Sequence, residues 1–186
     1  MKHPFKVSAR KWLVVYGFLL LVSIASVGHV QAADLTLTPT EEDWLTYMRE
    51  EEKLARDVYL FLYAKWQSRI FNNISGSEQT HMDAIKTLLD RYGIPDPAKG
   101  NVPGVFTNPD LQALYDKLIQ QGSASLIESL KVGVFIEETD IDDLTAGIAS
   151  TRHKDIKTVY SNLLQGSLNH LDAFCSNLEM QGVSCE

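Results

Sequence analysis

Cysteine is nearly absent: Cys175 and Cys185 are the only two in 186 residues. Two thiols without nearby His partners are too few for a thiolate metal site. In an exported chain they read as a disulfide fastening the C-terminal tail, with two free thiols as the other reading. Also missing are a Ser-His-Asp nucleophile arrangement, a phosphate-cradling glycine loop and a dinucleotide fingerprint, so the common hydrolase and nucleotide-binding chemistries find no residues here. No segment makes a convincing strand. Basic excess is lacking too: 17 Lys and Arg stand against 24 Asp and Glu, which argues against nucleic acid and anionic membrane surfaces as partners.

The few basic residues are unevenly placed. Lys2, Lys6, Arg10 and Lys11 precede an apolar run from Trp12 to Val27, and Val30-Gln31-Ala32 closes it with small residues at the cleavage positions. Residues 1–32 therefore read as a secretory signal peptide cut before Ala33, with an uncleaved anchor as the competing reading. Beyond it, 13 Lys and Arg face all 24 acids, a net charge of −11. The expectation is a periplasmic or secreted chain, not membrane-embedded once processed, with residues 33–186 as one domain.

What this domain has in abundance is helical periodicity. The first helix is expected over about 40–66, opened by Thr38-Pro39-Thr40-Glu41-Glu42, a capping and first-turn composition. The second runs from Ile70 or Ile74 to Tyr92 and stops at Gly93, with Pro95 and Pro97 beyond. Two further long helices cover about 123–150 and 152–180. Between the pairs, Ile94 to Gly122 forms a long connection whose second half, from Asn108-Pro109-Asp110, reads as a short capped helix. Two antiparallel hairpins joined by a long crossover make an all-α, ferritin-like four-helix bundle the expected architecture.

Each apolar stripe is broken by a potential metal ligand. Glu52 sits between Met48 and Ala55; Glu78 and His81, three apart on one helix face, precede Ile85 and Leu88. Glu137 falls within the series Val134, Glu137, Ile141, and His170 between Leu163 and Phe174. Buried charges are costly unless paired or bound to metal. Taken singly, each has a plain alternative. Glu52 belongs to the run Arg49-Glu50-Glu51-Glu52-Lys53, which could be a solvated face. Glu78 could cap a helix starting at Ser75, His81 could be a core histidine, and Glu137 and Glu138 could be surface acids. Taken jointly, the right ligand types on four stripes favour a metal site. Glu137 and His170 are equidistant from a turn near residues 150–152, so they should face each other. Glu52 matches the height of Glu78 and His81 only if the first turn is tight, at about residues 66–69. Tyr59, Tyr92 and Tyr160 read as core.

The blocks Glu52-Lys53-Leu54-Ala55-Arg56-Asp57-Val58-Tyr59 and Glu78-Gln79-Thr80-His81 resemble the first- and second-helix ligand signatures of rubrerythrin-type proteins. With Ile136-Glu137-Glu138-Thr139-Asp140-Ile141 and Gly166-Ser167-Leu168-Asn169-His170-Leu171, nearly the whole processed chain resembles the ferritin-like family catalogued as domain of unknown function 2202. The resemblance implies a ferritin-like bundle with a metal site. One position departs from the di-iron pattern: Ser167 stands where the fourth helix should carry Glu, and serine is a poor iron ligand. Asp140 could compensate.

The expected function is an exported metal-binding protein holding iron, with manganese or zinc as other fits, as a di-iron or single-metal centre. Its ligands would be Glu52, Glu78, His81, Glu137 and His170, with Glu138 and Asp140 in reserve. A redox role would be peroxide reduction or Fe(II) oxidation, and the absence of rubredoxin-like cysteine pairs would call for a separate electron-donor protein. The alternatives are a non-catalytic binding or metal-sequestering module of the cell envelope, and a bundle without metal. A dimer is compatible with either.

Overall fold

The computed structural model describes residues 36–100 and 102–185. The expected signal peptide, residues 1–32, lies outside the described residues. Those residues form five helices and no strand: α1 (Pro39–Trp66), α2 (Arg69–Tyr92), α3 (Pro109–Gly122), α4 (Leu126–Ser150) and α5 (Lys154–Met180). All five belong to one unit, Leu35–Glu186.

The ends follow local chemistry. Thr38 caps α1 in a reciprocal capping box with Glu41, and Pro39 fills the first turn. Asn108 and Ser125 accept from the first free amides of α3 and α4. Gly93 ends α2 at φ 71°, a left-handed conformation that glycine adopts without steric cost. The turn between α1 and α2 is Gln67-Ser68 alone, with Gln67 at φ 54°. The first hairpin is therefore tight, and Asn72, Asn73 and Gly76 lie inside α2.

Around the bundle the order is α1, α2, α5, α4, with α3 lying against α1 and α4. The apolar core comes in two blocks. One gathers Val58 and Leu62, Phe71 and Ile74, Leu130 and Val134, Phe174 and Leu178. The other gathers Leu45 and Met48, Ile85 and Leu89, Leu144, Ile156, Tyr160 and Leu163. Each long helix contributes to both blocks and crosses a polar layer between them. On α1 and α5 the chain runs from the second block to the first, and on α2 and α4 from the first to the second, so neighbouring helices are antiparallel. The end of α2 and the start of α4 consequently lie at opposite ends of the bundle. A short loop cannot join them, which is why the connection is long.

That connection runs along the outer side of α1, and every residue from Met48 to Tyr59 is buried. The run Arg49 to Lys53 is thus not a solvated face. Arg49 pairs with Asp96 and donates to the Met82 carbonyl. Glu50 accepts from the amides of Thr107 and Asn108. Lys53 donates to Asp57 and the Val102 carbonyl, under the Phe106 ring. Asp57 also accepts from Arg56 and the Gly104 amide. Backbone groups of an irregular loop need partners when buried, and these charges supply them. At the other end of the chain, Cys175 and Cys185 are joined in a disulfide.

Candidate metal centre

The polar layer is built from two residues on each of four helices, adjacent on α1 and about one turn apart on the others: Glu51 and Glu52 on α1, Glu78 and His81 on α2, Glu137 and Asp140 on α4, Ser167 and His170 on α5. None is more than 9% exposed. Since the α1–α2 turn is only two residues long, Glu52 is level with Glu78 and His81. Glu52 Oε2 lies 3.1 Å from His81 Nδ1, and Glu78 Oε2 lies 2.9 Å from the same nitrogen. The other oxygen of Glu78, Oε1, lies 2.9 Å from His170 Nδ1, which is 3.4 Å from Glu137 Oε2. The result is two groups, Glu52–Glu78–His81 and Glu78–Glu137–His170, each able to present three ligand atoms within 4.8 Å of one another. Glu78 is common to both, one carboxylate oxygen to each side. The two imidazoles are stacked, with ring centroids 5.6 Å apart.

Several of these atoms lack what burial ordinarily demands. Glu52 Oε1, Glu78 Oε1, Asp140 Oδ1 and His170 Nδ1 are buried without a hydrogen-bond partner. Glu78 Oε1 and His170 Nδ1 are close, but not aligned as donor and acceptor. Two donors bound at right angles to one metal, each at about 2.1 Å, stand about 3 Å apart. Unpaired buried polar atoms cost about 1–3 kcal/mol each, more when charged, and a cation would satisfy several at once. Carboxylate oxygens with imidazole nitrogens suit iron, manganese or zinc. The residues therefore fit the group that the sequence led us to expect.

Surrounding contacts orient these side chains. Tyr59 donates to Glu137 Oε1 at 2.6 Å. His170 Nε2 lies 3.0 Å from Ser77 Oγ, which turns Nδ1 inward. Gly166 leaves room for His81: a Cβ there would stand 2.6 Å from Nε2. Ser167 donates to Asp140 Oδ2 and to the Leu163 carbonyl. Electrostatics reflect five carboxylates facing two imidazoles. Burial pushes Glu51 and Glu52 well above the ordinary range, and the Asp140 charge adds to it. Burial also pushes up Glu78, but the His170 and His81 rings overcome it and hold the carboxyl at about 2. Burial disfavours the charged rings, yet Glu52 and Glu78 raise His81 to about 11, and Glu137 and Glu78 raise His170 to about 9.

Of the residues expected from sequence, Glu52, Glu78, His81, Glu137 and His170 come together in the two groups. Asp140 is buried in the same layer and bonded to Ser167, outside either group. Glu138 is exposed and takes no part. Tyr59 carries a polar contact to Glu137 beside its packing on Phe71 and Phe174. Ser77 and the burial of Glu51 carried no signal in the sequence beyond their positions next to Glu78 and Glu52, and Gly166 none beyond lying one turn before His170.

Residues 41–186 match the family model described as "Uncharacterized protein domain (DUF2202)". The chain belongs to this family. A curated relative of this DUF2202 chain, "Uncharacterized protein MJ0754" of Methanocaldococcus jannaschii, is 53% identical over 146 residues, 78% of this chain and 79% of the relative. The crystal structure of hypothetical protein MJ0754 from Methanococcus jannaschii DSM 2661 superposes with a TM-score of 0.79 at 52% identity, covering 80% of this chain and 85% of that one. The DUF2202 match takes in all of the polar layer.

Proposed function

We propose that the protein is an exported, ferritin-like metal-binding protein whose centre would hold two cations, iron foremost, with Glu78 common to both ligand groups. The observation that carries this reading is Glu78 itself. Each of its oxygens lies 2.9 Å from the Nδ1 of a different imidazole. Charge counting agrees with it, since two divalent cations nearly balance five buried carboxylates with both imidazoles neutral. Export rests on the composition of residues 1–32.

A bound iron pair would supply one-electron redox chemistry towards peroxide or dioxygen. The chain's own residues have definable tasks in that setting. Glu52 and His81 would hold one position and Glu137 and His170 the other, while Tyr59 fixes Glu137 through its hydroxyl. Ser167, which replaces the expected acid, holds Asp140 aside and leaves this edge of the layer short of a ligand. The two apolar blocks keep bulk water away on either side. Reductive turnover would draw electrons from a separate protein.

One observation favours storage or sequestration without turnover: no ligand is more than 9% exposed, which limits access for an oxidant. Metal analysis of protein purified from its native compartment, with melting curves after adding Fe(II) or Mn(II), tests binding. Peroxide and Fe(II) oxidation assays then separate an oxidoreductase from a sequestering protein.

A further inference from the structure

The two three-ligand groups leave one carboxylate of the layer unused. Glu51 is 5% exposed, belongs to neither group, and its Oε2 is buried with no hydrogen-bond partner. Its Oε1 is 3.4 Å from the Tyr47 hydroxyl, which donates to Asp143 Oδ2 at 3.1 Å. Tyr47 and Asp143 in turn line an open surface recess with Thr40, Asp43 and Trp44. On the inner side, Asp140 Oδ1 is likewise buried and unpartnered. Asp140 is also the neighbouring charge that acts most strongly on both Glu51 and Glu52. The Tyr160 hydroxyl, on the facing helix α5, is buried without a partner as well. Among the described residues, no Lys or Arg forms an ion pair with Glu51, Asp140 or Asp143.

Carboxylates set in sequence from a half-buried Asp143 to the buried Glu51 and Asp140, the latter two each with an unpartnered oxygen and none paired with Lys or Arg, cost stability and contribute nothing to packing. They are, however, what a cation needs to shed water in steps, since each oxygen replaces part of its hydration shell. We infer that Asp143, Glu51 and Asp140 form an uptake route passing a divalent cation from the recess at Trp44 and Tyr47 to Glu52 and the buried centre. This inference rests on the metal-binding reading above. The acids on the route attract the cation and transfer it; they do not retain it, because their oxygens do not close into a three-ligand cage.

The test is the rate of loading, read separately from the final amount. Metal-free protein is mixed with Co(II), a divalent probe with a visible absorption spectrum, and uptake is followed in wild type, E51Q, D143N and E138Q. Asp143 is only partly buried, so D143N remains readable even if E51Q fails to fold. Glu138 is exposed and off the route, so E138Q controls for loss of one surface charge. The expected result is loading slowed about tenfold or more in E51Q and D143N, with wild-type stoichiometry and spectrum at the end point and E138Q unchanged. The wild-type rate should also fall more steeply with ionic strength than that of D143N. Wild-type rates in both E51Q and D143N would overturn the route while leaving the metal centre intact. Loss of a whole equivalent in E51Q would overturn it too, by making Glu51 a ligand. A wild type that takes up no Co(II), Fe(II) or Mn(II) would instead remove the metal reading, and the route with it.

Discussion

Ser167 on α5 donates a hydrogen bond to Asp140 on α4 inside the buried layer. The serine stands where a ligand acid was expected, and the acid three residues beyond Glu137 has turned to meet it. Replacing Ser167 by Ala would leave Asp140 Oδ2 buried without a partner. The expected cost in metal-free protein is about 1–3 kcal/mol, measured by urea unfolding. The cost should be smaller in metal-loaded protein if Asp140 turns to a bound cation.

Gly166→Ala separates folding from binding. Alanine in a helix interior is favoured over glycine by about 1 kcal/mol, but here its Cβ would stand 2.6 Å from His81 Nε2. His81 must move away from Glu52 and Glu78. Metal affinity is expected to fall by about tenfold or more with little loss of helicity, checked by competitive chelation and circular dichroism.

How much of this was legible in the sequence varies residue by residue. Helical periodicity placed Glu52, Glu78, His81, Glu137 and His170 on inward stripes, because a four-helix core admits few other faces. The height of Glu52 was open, because a turn of Gln67-Ser68 has no glycine to mark it. Gln67 takes the left-handed conformation itself, while the breakers farther on, Asn72, Asn73 and Gly76, lie inside α2. The fate of Arg49 to Lys53 was hidden for another reason. A charged run looks solvated until a loop distant in sequence covers it, and the partners, among them Asp96, Val102, Thr107 and Asn108, are mostly backbone groups with no side-chain signature.

Asp57 is the node of that cover, accepting from Lys53, Arg56 and the Gly104 amide. Asp57→Ala removes the carboxylate that pairs with two buried cations, Lys53 and Arg56, and takes the acceptor from the Gly104 amide. The expected destabilisation is about 3–5 kcal/mol. Earlier proteolysis within residues 94–108 than in the four long helices would accompany it, read by limited digestion.

Glu41 gives the chain an acid limit away from the buried polar layer. Burial pushes its carboxyl up, but hydrogen bonds from Thr151, Thr38 and the Arg152 amide outweigh that and hold it at about 2, against an ordinary 4.5. A carboxyl depressed on folding stabilises fully above its unfolded value, and that stabilisation is lost as pH falls through the folded one. Glu41→Gln should therefore cost about 1–3 kcal/mol at pH 7. The difference from wild type should shrink between about pH 4.5 and pH 2, measured by unfolding at each pH.

The most direct test of the centre compares bound metal in wild type with Glu78→Ala, Glu52→Ala and Glu137→Ala. Each protein is loaded anaerobically with Fe(II), desalted and analysed by mass spectrometry. Because Glu78 faces both imidazoles, its loss should abolish binding, whereas losing Glu52 or Glu137 should remove only one position. Wild type should retain about two equivalents per chain. Less than about half an equivalent in wild type, with no rise in melting temperature, would contradict the account.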